Sequence, residues 1–116
     1  MQISPKQLAE LERESNESFH DRMITHLRKC FPDQCGRTPN DELRAFIVDG
    51  QANAATYGFT AERDVCKFID ISVVHGTGFH HAPWAAKILK DGLYRTPTAR
   101  LERLFEAALV QPVRKD

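Results

Sequence analysis

Residues 60–76, TAERDVCKFIDISVVHG, decide the fold class. Wound as a helix from about Ala61 to His75, they spread Val65, Cys66, Phe68, Ile69, Ile71, Val73 and Val74 over most of the circumference. A helix apolar nearly all round belongs at the centre of a domain. Part of the run, Phe68 to Val74, also reads as a buried strand, since short apolar runs are ambiguous by periodicity alone. The flanks favour a helix. Thr60 is a capping residue, Glu62 suits a helix N-terminus, and Gly76 follows as a C-terminal glycine does.

The same punctuation recurs outward in both directions. Ser4-Pro5, Thr38-Pro39, Ala82-Pro83 and Thr96-Pro97 each place proline where a first helical residue tolerates it, and Ser or Thr before it can cap. Thr38-Pro39-Asn40-Asp41 resembles a capping box with Asp in place of Glu or Gln. Gly36, Gly58, Gly76 and Gly92 follow helix-like runs, and Pro32 and Pro112 end the first and last of them. Five helices result, over about Pro5–Phe31, Pro39–Tyr57, Ala61–His75, Pro83–Lys90 and Pro97–Val110. Gly50 interrupts the second at a cost of about 1 kcal/mol relative to Ala. The expectation is an all-α, compact single-domain bundle over residues 1–116, with the third helix central and a frayed tail from about 113 to 116. The first helix would be roughly 39 Å long against a domain diameter of about 35 Å. It therefore bends at its polar stretch or runs past the body, and Leu8 and Leu11 either cover the end of the bundle or form a docking surface.

Composition limits the function. The chain has 116 residues, with 16 Lys+Arg against 16 Asp+Glu. That balance argues against a dedicated nucleic-acid binder and against attraction to anionic membranes. The longest apolar-rich stretch, Val65 to Val74, is broken by Lys67, Asp70 and Ser72, so no membrane insertion is expected. The N-terminus lacks the apolar core of a signal peptide, and the three cysteines, Cys30, Cys35 and Cys66, are no disulfide framework. A cytoplasmic location follows as the expectation.

The segment His75-Gly-Thr-Gly-Phe-His80-His81 carries the one concentrated chemistry. Three imidazoles in seven residues can ligate zinc, copper or nickel, with Cys66 about two turns upstream. Against this, no HExxH pattern is present and adjacent histidines seldom serve one metal, so an ordinary glycine-rich connection is favoured and no cofactor is expected. The glycines lack the lysine of a phosphate loop. Asp70 either titrates within an apolar helix or pairs at its polar edge with Arg63 or Arg100. No Ser-His-Asp or Cys-His arrangement stands out, so the chain is read as no enzyme. Trp84 inserts into the core or serves as an interface anchor.

Three stretches combine into a resemblance: residues 57–70 (YGFTAERDVCKFID), 83–89 (PWAAKIL) and 98–107 (TARLERLFEA). With Phe31-Pro-Asp-Gln-Cys35 at the end of the first helix, the chain from about 15 to 110 resembles a family of small uncharacterised bacterial proteins encoded beside type VI secretion spike, PAAR-tip and effector genes. That resemblance implies an adaptor or chaperone-like accessory that binds an effector or a spike/PAAR component. Leu8, Leu11 and Trp84 are the candidate partner-binding residues. The family usually has a longer acidic loop where this chain has the histidine-rich 75–82 segment, and no catalytic residue carries over. The alternatives are an immunity protein that neutralises a cognate toxin and a metal-binding protein that uses His75, His80 and His81; a homodimer is compatible with each.

Overall fold

The computed structural model describes residues 4–113, and these form helices with no strand among them. Six α-helices run in the order α1 (Pro5–Cys30), α2 (Pro32–Cys35), α3 (Asn40–Ala55), α4 (Glu62–His75), α5 (Pro83–Leu89) and α6 (Pro97–Val110). A 3₁₀ turn, Phe79–His81, precedes α5. Among the described residues, no helix is long and apolar enough to cross a membrane. The five expected helices are present, and the extra element is α2: Pro32 ends α1 and also opens a single further turn as its first residue. Of the anticipated tail at about 113–116, residues 114–116 lie outside the described residues. The chain divides into two compact units, 1–45 and 46–116, with the boundary inside α3.

In the first unit, α1 begins with a full capping box. The Ser4 hydroxyl accepts from the Gln7 amide at 3.2 Å, and the Gln7 side chain accepts from the Ser4 amide at 2.9 Å. Phe19, Met23, Ile24 and Leu27 are its buried positions, and all lie in its C-terminal half. Residues 5–18 are exposed throughout. Leu8 and Leu11 are each 52% exposed. Arg28 donates to the Thr38 carbonyl at 2.6 Å and ties α1 to the segment before α3. The Thr38 hydroxyl donates back to the Gln34 carbonyl at 3.2 Å, which engages the side chain expected to cap α3.

In the second unit, α4 packs on α6, and α6 also packs on α5. The buried apolar side chains are Ile47 and Ala54 of α3, Val65, Phe68, Ile69 and Ile71 of α4, Ala85 and Leu89 of α5, and Leu101, Leu104, Ala107 and Ala108 of α6, with Phe59 and Phe79 from the connections. α4 starts one residue later than Thr60 would place it. Its N-cap is Ala61, which makes no side-chain cap, so the Thr60 hydroxyl is out of register with the amides it was expected to satisfy. Nor is α4 apolar all round: Cys66, Lys67, Asp70, Val73 and Val74 are only half-buried, and Lys67 lies 5.7 Å from the Phe105 ring centroid in a cation–π contact.

The buried carboxylate on α4 is Asp64 rather than Asp70. It sits in the first turn, where the helix dipole favours a negative charge, and accepts from the Thr98 hydroxyl of α6 at 2.8 Å. α3 ends in a Schellman motif, in which the Phe59 amide donates to the Ala54 carbonyl and the Gly58 amide to that of Ala55, each at 3.0 Å. Gly58 has φ +85°, a conformation open to glycine at little cost.

Gly50 is required by packing. A Cβ there would stand 2.7 Å from Ile69 Cγ1 of α4. Ile69 is fully buried and stiff at that atom, so the helices would have to part. Gly50→Ala is expected to lower stability in urea unfolding by about 1–2 kcal/mol, overcoming the ~1 kcal/mol gain in helix propensity. A stabilised Gly50→Ala protein would refute the close approach. Thr98→Val, which removes the Asp64 donor, is expected to cost about 1–3 kcal/mol in the same assay.

Candidate functional site

The site is built where α4 stops. Gly76 adopts φ +95° and its amide closes onto the Ser72 carbonyl at 2.9 Å, so the chain leaves α4 sharply. Two short turns follow. The Phe79 amide bonds to the Gly76 carbonyl at 3.2 Å and the His81 amide to the Gly78 carbonyl at 3.0 Å, and these deliver the chain to Pro83 at the start of α5. The turn leaves a cleft of about 750 Å³ among the end of α4, the 3₁₀ turn, Pro83 and Trp84 of α5, and residues 111–113 beyond α6.

His75 forms one wall. Its Nε2 lies 2.9 Å from the Ala108 carbonyl oxygen. A carbonyl only accepts, so Nε2 carries the proton. Ala108 falls in the last turn of α6, where carbonyls have no intrahelical partner, so the imidazole caps α6 from outside. Trp84 stands edge-on to His75 with ring centroids 5.4 Å apart, and is stacked with Phe79 at 6.1 Å and 24°. Trp84 is half-buried: part of the ring packs and part faces the cleft. Its contacts with His75 and Phe79 match the packing role that its sequence context offered.

His80 turns inward. It is buried, with Nδ1 2.7 Å from the Tyr57 hydroxyl, and its ring lies edge-on to Tyr57 at 5.5 Å and 6.0 Å from Phe68. His81 is exposed, with its ring 4.1 Å from that of His80. Burial first, and the neighbouring His81 second, hold the His80 pKa below the ordinary histidine value.

The three loop histidines thus have different surroundings. His75 binds a helix end, His80 binds Tyr57 and His81 faces solvent. His80 and His81 are brought ring against ring, while His75 is occupied by Ala108. Leu8 and Leu11 lie on α1 in the first unit, whereas Trp84 and the histidines belong to the second. Of the cysteines, Cys35 is buried, Cys66 half-buried and Cys30 exposed. Tyr57 escaped notice as a site residue. The pair Tyr57-Gly58 marks the end of a helix, and nothing in a separation of 23 residues links it to His80. No protein family, curated protein or solved structure compared with the chain matches it.

The depressed His80 pKa gives stability a direction with pH. The unfolded chain binds the proton more readily than the folded one, so the contribution is full above the ordinary histidine pKa of about 6.5 and is lost as pH falls from there towards the lower folded value. The thermal midpoint is expected to fall between pH 7.5 and pH 5. His80→Asn, whose side-chain amide can donate to or accept from the Tyr57 hydroxyl and does not titrate, is expected to flatten that fall. An equal pH dependence in the two proteins would show that His80 does not carry it.

Proposed function

We propose that this chain is a non-enzymatic protein-binding accessory, an adaptor or chaperone-like protein that holds a type VI secretion effector or spike-tip component for loading and works in the cytoplasm. The observation that carries the reading is the first half of α1. Over residues 5–18 every position is exposed, and Leu8 and Leu11 share one face at i, i+3.

An isolated helical stretch of that length is marginal in water. Here the capping box holds its first turn, and Arg13 on the opposite face pairs with Glu10 and, at 2.9 Å, with Glu17. Each pair contributes only tenths of a kcal/mol, but together with the cap they favour the helix before any partner arrives. Pre-ordering reduces the entropy lost on docking, and a helix presenting paired leucines is suited to an apolar groove. The secretion setting rests on the resemblance of residues 57–70, 83–89 and 98–107 to proteins encoded beside spike and effector genes.

Leu8→Glu combined with Leu11→Glu replaces two side chains that are each 52% exposed. The thermal midpoint is expected to stay within a few degrees of the parent, while capture of effector and tip proteins encoded in the same gene neighbourhood is lost. The parent chain is expected to retain such a partner without blocking its toxicity. Blocked toxicity on co-expression would mark an immunity protein instead, and equal capture by the parent and the double variant would remove α1 as the docking face.

A further inference from the structure

We propose that His26 and Cys30 of α1 chelate a zinc ion, at a site separate from the histidine segment and independent of the docking reading above. The two residues are one helical turn apart, at i and i+4, so their side chains share a face of α1. Two ligands at that spacing on one helix are a zinc-binding arrangement. Imidazole nitrogen and thiolate sulfur are the donors that zinc takes, whereas magnesium and calcium take oxygen.

The distance between the donors fits the ion. Cys30 Sγ stands 3.6 Å from His26 Nδ1. Zinc lies about 2.3 Å from a thiolate sulfur and about 2.0–2.1 Å from an imidazole nitrogen, and a tetrahedral angle between those bonds sets the two donor atoms about 3.5–3.6 Å apart. The helix therefore holds both donors at the required span. On binding, the Cys30 thiol releases its proton to solvent, and the sulfur and the neutral Nδ1 each donate a lone pair, so affinity rises with pH.

The surroundings suit a cation that can come and go. Cys30 is the last residue of α1, where the helix dipole places partial negative charge. Of the two basic residues in that turn, Arg28 is tied to the Thr38 carbonyl and Lys29 is exposed, where water and salt screen it. Cys30 is exposed and His26 half-buried, so an ion can reach the pair from solvent. Two protein ligands leave two tetrahedral positions for water, which makes the ion exchangeable. The histidines at 75 and 80 are differently committed, to the Ala108 carbonyl and the Tyr57 hydroxyl.

The untagged, reduced full chain is titrated with cobalt(II) without oxygen, and zinc is then added. A sulfur-to-cobalt charge-transfer band is expected to grow, saturate near one ion per chain and disappear as zinc displaces cobalt. Cys30→Ser alters an exposed position and is expected to abolish the band and weaken zinc binding at least roughly tenfold. His26→Gln keeps the thiolate and is expected to bind several-fold more weakly. Zinc is also expected to slow alkylation of Cys30 by iodoacetamide in the parent chain, measured on its peptide by mass spectrometry, a reading that needs no variant to fold. Absence of the band, a band unchanged in folded Cys30→Ser, or Cys30 alkylation indifferent to zinc would overturn the proposal. So would a band that survives Cys30→Ser and is lost in Cys66→Ser.

Discussion

The second unit is organised around the Phe68 ring. This side chain of α4 is fully buried and is touched by four other rings: Tyr57 and Phe59 from the end of α3, and Phe79 and His80 from the 3₁₀ turn. Its closest approach is 4.9 Å between centroids, to Phe79. Rings from three segments can meet there because both connections turn sharply. Gly58 completes the Schellman closure of α3, and Gly76 ends α4 with positive φ. Were either turn wider, Tyr57 and His80 would not reach the same ring.

The cleft follows from that arrangement. Phe79 and His80 point inward, so the short turn carrying them is held against α4. The backbone between Gly76 and Gly78 then borders open space, and Trp84 is left with one side packed and another facing out. The histidines divide between these two sides. His75 satisfies a carbonyl that α6 cannot satisfy for itself, and His80 makes a polar contact within an aromatic cluster. Burying an imidazole among rings disfavours its charged form, which is why the same packing that builds the cleft also lowers the His80 pKa. Two of the three imidazoles that look alike in the sequence thus have structural partners that hold the turn in place.

Much of the architecture was legible residue by residue. Ser4, Pro83 and Thr96 announce their helices because capping is a local matter of which side chain precedes which amide. Thr38 misled, and Pro32 does more than end a helix, for reasons just as physical. A proline suits the first turn of a new helix as well as the end of an old one, and a threonine hydroxyl bonds whichever neighbour the turn brings within reach, here the Gln34 carbonyl. Gly50 read as a weakness in its helix and is instead the point where Ile69 needs room. The candidate site was legible in part: the histidine segment and Trp84 were visible, but their roles were not.

By itself, then, the sequence determined the helical class, the approximate helix limits and the candidate residues, because periodicity, caps and breakers act within a few neighbouring positions. Tertiary structure alone decided which histidine is buried, which carboxylate on α4 is enclosed, and that a cleft opens beside Trp84. Each of these depends on pairs such as Tyr57 with His80 and His75 with Ala108, separated by 23 and 33 residues. No local propensity encodes such distances; they arise only when the helices pack.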